Sequence, residues 1–347
     1  MEEADEKRRE LVKKLFPNGI PELWCPLLVH YDHYGKMDKK RSAAHIKELC
    51  KYIRTFLIFG STGDGWELTE QEKEEALDFY ISQARKNNFS MLIGVLETEC
   101  GKNVTSIRKW VEWLKKKAGT TDEKQALKEN CICGFTICAP KGKEFEQEKI
   151  NEELSASLKL GYPTVLYQLP QITLNEISPE TVSNLAERFS NFYMFKDTSG
   201  TDQVVLKNLY YGNVFFVRGA EGDYSKWFHK NSSGYQGFLL SCANTFASEL
   251  AEVLTLMKEG REKEAEEKAD KVTGWVNAVF IEAQKMEEGN VYANANKCID
   301  HLLAYGKEWR KKEKPMRHCG KEIPEKYLEY AEKCLGERIP DTGYLAE

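Results

Sequence analysis

The order of apolar runs along the chain predicts an α/β protein, a (β/α)8 TIM barrel with a C-terminal helical extension. Three observations carry this. Short apolar runs alternate with longer stretches of helical periodicity. Eight such runs fall within about 220 residues, which favours a closed parallel barrel over an open sheet. After residue 243 the strand signal stops and only helical patterns continue.

The expected strands are 24–30 (WCPLLVH), 54–59 (RTFLIF), 91–96 (MLIGVL) and 132–139 (ICGFTICA), then 163–169 (PTVLYQL), 192–196 (FYMFK), 214–218 (VFFVR) and 235–240 (YQGFLL). Helices are expected between them near 39–52, 69–86, 102–117, 144–159, 178–189, 201–209 and 222–230. Thr69 with Glu72 reads as a capping box, in which each side chain satisfies an orphan backbone N–H. Ser178-Pro179-Glu180 places an N-cap before a proline at the first helical position. The segment 118–130 (AGTTDEKQALKEN) reads as a polar insertion. Further helices are expected at about 244–260, 262–287, 291–306 and 324–335, giving an N-terminal helical arm (1–20), a barrel (21–243) and a C-terminal helical domain (244–347).

The 347 residues include 41% hydrophobic ones, enough for a sizeable core, and carry a formal net charge of -5, which argues against a general nucleic-acid binder. Lysine and glutamate are intermixed, as on solvated helix faces. The ten cysteines form no CxxC pair. Cys131, Cys133 and Cys138 lie on or beside one expected strand without nearby histidines, so buried free thiols are expected rather than a metal cluster. Such thiols suit a reducing cytoplasm. The opening MEEADEKRRELVKKLF reads as a charged amphipathic helix rather than a signal peptide, and no apolar stretch reaches the ~20 residues of a membrane span.

In such a barrel, chemistry gathers at the carboxyl ends of the strands. Lys196 ends the sixth strand on the same face as Phe192 and Met194. An apolar setting disfavours an ammonium ion and favours the neutral amine, the form that attacks a carbonyl. Without partners it would be a solvated surface lysine. Tyr167, near the end of the fifth strand, could shuttle protons beside such an amine, or simply be a rim tyrosine. Gly60-Ser61-Thr62-Gly63-Asp64-Gly65 follows the second strand. Its glycines permit close backbone approach, and its N–H groups and hydroxyls suit a carboxylate. It lacks the spacing of a nucleotide loop. Ser241 after the eighth strand and Glu221 after the seventh could contact a polyhydroxylated substrate, or serve as loop and capping residues. An amine, a phenol, an anion nest and polar side chains on one rim are what imine chemistry on a 2-oxo acid requires, because a protonated imine is an electron sink for the adjacent C–C bond.

Three motifs resemble the dihydrodipicolinate synthase / N-acetylneuraminate lyase family of class I pyruvate aldolases: GSTGDGWELT at 60–69, YQLPQIT at 167–173 and FKDTSGT at 195–201. The resemblance spans most of the chain, from Pro26-Leu27 onward. It implies Lys196 as the Schiff-base residue, Tyr167 for proton transfer, and Ser61 and Thr62 as carboxylate and relay groups. It also implies no metal or organic cofactor, pyruvate and an aldehyde as small-molecule partners, and a homo-oligomer, tetramer or dimer. Synthases of the family usually carry an arginine in the tyrosine motif for the second substrate's carboxylate. Ile172 stands there and cannot make a bidentate contact. Thr198, Ser241 and the acidic Glu221 are similar to residues of the sialic-acid lyases, and the KDT triplet at 196–198 also resembles aldolases for 2-keto-3-deoxy sugar acids. The family's usual neighbour-reaching tyrosine is missing from Ala139-Pro140-Lys141-Gly142-Lys143-Glu144, and Asp64 replaces a typical glutamate with an expected effect on loop packing alone. The leading expectation is therefore a cytoplasmic lyase cleaving a 2-oxo-3-deoxy sugar acid such as N-acetylneuraminate. The alternatives are a dihydrodipicolinate synthase and a non-catalytic 2-oxo acid or sugar-acid binding protein.

Overall fold

The computed structural model describes residues 2–207, 209–228 and 234–345. Eight strands, β1 (Leu23–Pro26), β2 (Thr55–Ile58), β3 (Ser90–Val95), β4 (Ile132–Cys138), β5 (Thr164–Gln168), β6 (Phe192–Asp197), β7 (Phe215–Arg218) and β8 (Gly237–Leu239), stand in chain order as a closed barrel. The ladders β1–β2, β3–β4 through β7–β8, and β8–β1 are all parallel. The expected (β/α)8 topology is the one observed.

Helix α1 (Glu2–Leu15) precedes the strands. Between them lie α2 (Lys39–Leu49), α3 (Glu70–Asn87), α4 (Lys102–Ala118), α5 (Glu123–Glu129), α6 (Gln147–Leu158), α7 (Pro170–Thr173), α8 (Pro179–Arg188), α9 (Gln203–Leu206) and α10 (Tyr224–Trp227). Four helices follow β8: α11 (Ala243–Lys258), α12 (Glu262–Ala283), α13 (Val291–Tyr305) and α14 (Glu325–Leu335). The capping box at Thr69 and the Ser178 cap with Pro179 at the first turn are both present. Three expectations change. The polar insertion contains a helix, α5, whose cap is Asp122 accepting from the Gln125 N–H. The first strand ends at Pro26 rather than running to residue 30: after the Leu27 N–H bonds to the Leu57 carbonyl, the chain turns away to bridge Tyr31 with Met37. The helices expected at 201–209 and 222–230 shrink to single turns among the described residues, and residues 208 and 229–230 lie outside them.

Contacts divide the chain into two compact units. One is Met1–Trp24, Ser90–Ala220 and Trp227–Leu239, and the other is Cys25–Phe89, Glu221–Lys226 and Leu240–Glu347. In the first unit, register aligns Cys138, Tyr167, Lys196 and Val217 across β4 to β7. Residues paired this way in a parallel ladder project on the same side. The opposite face of β6 shows Tyr193 packed against Phe16, with ring centroids 6.1 Å apart. The layer holding Lys196 is therefore the one turned away from the chain's N-terminal segment.

The wholly buried Arg8 docks α1 onto this unit. Its Nε donates to the Phe192 carbonyl at 2.7 Å, Nη2 to those of Phe189 and Ala186, and Nη1 to Asp5 at 2.5 Å. Removing one partner of a buried ion pair strands the other charge. Arg8→Ala is expected to lower unfolding free energy by about 3 kcal/mol, read as a lowered urea midpoint of the full chain.

Candidate functional site

The strand β6 carries Lys196 as its penultimate residue because FYMFKD is apolar on both faces up to that point, so the ladder continues to the lysine instead of releasing it. Lys196 is only 4% exposed, directly opposite Tyr167, itself 3% exposed. Lys196 Nζ lies 3.9 Å from the centroid of the Tyr167 ring, over its face. The sequence paired these two residues correctly. The contact shown is with the π face, a favourable place for an amine or ammonium group. Thr198 is also in this unit, but its hydroxyl donates to the Gln168 carbonyl at 2.6 Å and ties the end of β6 to β5.

Gly219, which the sequence reading passed over, gives the lysine its space. A Cβ there would strike Thr198 Cγ2 and sit 2.8 Å from Lys196 Cε, while the Gly219 N–H donates to the Asp197 carbonyl at 2.6 Å. Beneath the lysine, the Tyr235 hydroxyl lies 3.0 Å from Asp197 Oδ2 and 2.7 Å from Asp202 Oδ1, and Asp202 is paired with Arg218 at 3.0 Å. Burial raises the Asp197 carboxyl above the ordinary range, with the negative charge of Asp202 adding to the effect against the hydrogen bonds from Ser199 and Tyr235. One hydroxyl hydrogen cannot serve two carboxylates at once, so Asp197 and Asp202 share the Tyr235 hydroxyl.

In the second unit, Ser61-Thr62-Gly63 forms a single 3-10 turn. The N–H groups of Gly63 and Gly65 bond back to the Gly60 carbonyl, and that of Asp64 to the Ser61 carbonyl. The expected anion nest is thus narrower than its sequence suggested, and its donors centre on Ser61 and Thr62. A side chain at Gly63 would collide with the Leu27 carbonyl at 2.6 Å, so glycine is required for the turn to sit against the segment just after β1. Asp64 adopts the left-handed region with φ of 52°, a conformation that needs support in a non-glycine residue. Support comes from Tyr31, whose hydroxyl donates to Asp64 Oδ2 at 3.0 Å, and from the buried Lys297 of α13 at 3.2 Å from the same oxygen. Asp64 therefore does more than adjust loop packing: it anchors the turn to α13. No local signal in the sequence joins positions 64 and 297.

Ser241 and Glu221 belong to this unit as well. Asn296 Nδ2 donates to Ser241 Oγ at 2.8 Å. The Glu221 carboxylate accepts from the Cys242 N–H and the Tyr224 hydroxyl, each at 3.0 Å, and so helps cap α11. Asn290 Nδ2 donates to Ser61 Oγ at 3.0 Å. The sequence reading had named neither asparagine.

The departures are also located. Ile172 lies in the short α7. Lys141 and Lys143 are exposed on a loop whose carbonyls at Pro140 and Gly142 accept from Asn175. Burial pushes the Cys133 and Cys138 thiols up to about 12, as inert core cysteines behave. Among the described residues, one cluster has metal-ligand types within reach of one another: His30, His45 and Asp300. Burial would raise the Asp300 carboxyl, but His45, His30 and Arg41 together hold it well below the usual range. Arg41 lies 3.2 Å from the same Asp300 oxygen that faces His30. A divalent cation there would meet that fixed positive charge, so the cluster reads as charge-balanced structure. No described helix is long and apolar enough to cross a membrane.

Comparisons with known proteins agree with this fold. Residues 120–288 match the model of the Dihydrodipicolinate synthetase family. The 4-hydroxy-tetrahydrodipicolinate synthase of Agrobacterium fabrum is 23% identical over 271 residues, covering 77% of this chain and 84% of its own. That of Bartonella bacilliformis is 21% identical over 307 residues, covering 88% and 96%. Among solved structures, YagE, an E. coli K12 prophage protein of the dihydrodipicolinic acid synthase family in complex with pyruvate, superposes with a TM-score of 0.70 at 15% identity, covering 91% of this chain and 98% of that one. CdNal from Clostridium difficile in complex with mannosamine gives 0.69 at 17% identity, covering 90% and 97%. These likenesses carry the fold.

Two outcomes test the geometry around Lys196. Gly219→Ala is expected to cost about 1–3 kcal/mol through overpacking, seen as a lowered thermal midpoint. For Asp197 the sign follows from its raised folded-state pKa. At low pH the carboxyl is protonated in both states. As pH rises above the unfolded value, the unfolded chain releases the proton first, and wild type loses stability until the folded pKa is passed. Asp197→Asn lacks this loss. Its urea midpoint relative to wild type should therefore rise between pH 4 and pH 7; an unchanged difference would contradict a raised Asp197 carboxyl.

Proposed function

We propose, from the premise that this chain is a class I aldolase-type enzyme of the dihydrodipicolinate synthase / N-acetylneuraminate lyase family, that it cleaves a 2-oxo-3-deoxy sugar acid, such as N-acetylneuraminate, to pyruvate and an aldehyde through an imine on Lys196. The observation that carries this reading is the buried lysine amine over the Tyr167 ring, two residues that the strand register holds opposite each other.

In the forward direction, the neutral Lys196 amine attacks C2 of the 2-oxo acid. The carbinolamine loses water, with Tyr167 moving the proton, and leaves a protonated imine. The imine draws the electron pair of the C3–C4 bond as that bond breaks, while the C4 hydroxyl gives up its proton and becomes the aldehyde. The remaining enamine takes a proton at C3. Water then hydrolyses the imine, releasing pyruvate and restoring the amine. Ser61 and Thr62 are assigned to the carboxylate, and Thr198, Glu221 and Ser241 to the hydroxyls of the sugar acid. No step needs a metal or organic cofactor. A cytoplasmic homotetramer or dimer is part of the same reading.

Ile172 supports the lyase over the synthase, since an apolar side chain cannot pair with the carboxylate of aspartate semialdehyde. The names of the relatives favour the synthase instead. Product analysis with N-acetylneuraminate in one arm, and with pyruvate plus aspartate semialdehyde in the other, separates the two. Borohydride reduction with pyruvate should leave a covalent adduct that maps to Lys196 by mass spectrometry and vanishes in Lys196→Ala. Tyr167→Phe should lower kcat by about 10²-fold or more. Reversible pyruvate binding without an adduct would favour a non-catalytic binding protein, and an adduct on another lysine would sink the assignment.

A further inference from the structure

Helix α13 aims two amides at two serines. Asn290 is its N-cap, and its Oδ1 accepts from the Ala293 N–H at 3.0 Å while Nδ2 donates to Ser61 Oγ at 3.0 Å. Six residues on, the fully buried Asn296 donates through Nδ2 to the Tyr292 carbonyl and to Ser241 Oγ, both at 2.8 Å, and accepts from Thr245 Oγ1 at 3.2 Å.

The two ends of an amide side chain have the same shape, so their direction must come from their partners. A backbone N–H can only donate and a backbone carbonyl can only accept. The Ala293 N–H therefore fixes the oxygen of Asn290, and the Tyr292 carbonyl fixes the nitrogen of Asn296. In both cases the NH2 group faces the serine. A serine hydroxyl has a single hydrogen. When its oxygen accepts from an amide, that hydrogen is left to point elsewhere. Among the described residues, the Ser61 and Ser241 hydroxyls take part in hydrogen bonds as acceptors.

We propose that Asn290 is a positioning residue that holds the Ser61 hydroxyl as a hydrogen-bond donor toward the substrate carboxylate, a device that Asn296 repeats at Ser241. It rests on the reading in which Ser61 takes that carboxylate. Polarity is the point: a hydroxyl held this way favours an anionic acceptor. Helix α13 thereby tunes binding of the 2-oxo acid without touching it.

The test uses the full chain and pyruvate, measuring the concentration that half-saturates borohydride trapping on Lys196 and the limiting trapping rate. Asn290→Asp keeps an N-cap acceptor but replaces the donating NH2 with an accepting oxygen, so the Ser61 hydrogen turns toward it. Asn290→Ser also keeps a good cap and is too short for the contact. Asn290→Asp should raise the half-saturating concentration about tenfold or more, and Asn290→Ser by less, with the limiting rate unchanged in both. In a Ser61→Ala background, Asn290→Asp should add no further increase. Wild-type saturation in Asn290→Asp, or an undiminished effect without the Ser61 hydroxyl, overturns the proposal while leaving the imine reading intact. No adduct in wild type overturns that reading and the proposal with it.

Discussion

The pairing of β5 with β6 in one register, Tyr167 opposite Lys196, is the constraint on which the proposed chemistry depends. Side chains alternate along a strand, so a slip of one residue would turn the lysine to the other face and replace it with Phe195 or Asp197. Neighbouring features hold the register. Thr198 bonds back to Gln168 just beyond the pair, and Arg8 grips the Phe192 carbonyl at the strand's start. Gly219 leaves room for the lysine stem. Below it, the Asp197–Tyr235–Asp202 chain ends at Arg218, which supplies the balancing charge.

The second unit solves a different problem, fixing a polar turn that has few contacts of its own. A three-residue 3-10 turn flanked by left-handed Phe59 and Asp64 cannot hold its shape unaided. The buried Lys297–Asp64 pair and the Asn290–Ser61 bond do so from α13. A buried ion pair is costly unless its partners are well satisfied, and here the Tyr31 hydroxyl and ring complete it. The helix that follows the barrel is thus part of the apparatus that shapes the turn.

Much of the fold was legible in the sequence because its signals are local. Strand and helix periods, the Thr69 capping box and the Pro179 start need only a few neighbouring residues. The misread stretches failed for physical reasons. The helix in 118–130 has a cap at Asp122 but buries just Ala126 and Leu127, too little apolar surface for a visible helical period. The run 24–30 is apolar up to His30, and Leu27 to Tyr31 stay buried even after leaving the sheet. Composition registers burial there and cannot tell a strand from a packed loop.

By itself, the sequence determined the barrel, the lysine and tyrosine at successive strand ends, and the order of three motifs that resemble those of the dihydrodipicolinate synthase / N-acetylneuraminate lyase family. Strand alternation and motif spacing are properties of the chain as a line, and they survive without coordinates. Only the tertiary structure decided what those residues meet. It set the amine over the face of the tyrosine ring, gave the Glu221 carboxylate a capping task, and brought Asp64 to Lys297 and Ser61 to Asn290 across more than 200 residues of chain. Hydrogen bonds and ion pairs act over about 3–4 Å in space, and no periodicity in one dimension encodes which distant side chains will come that close.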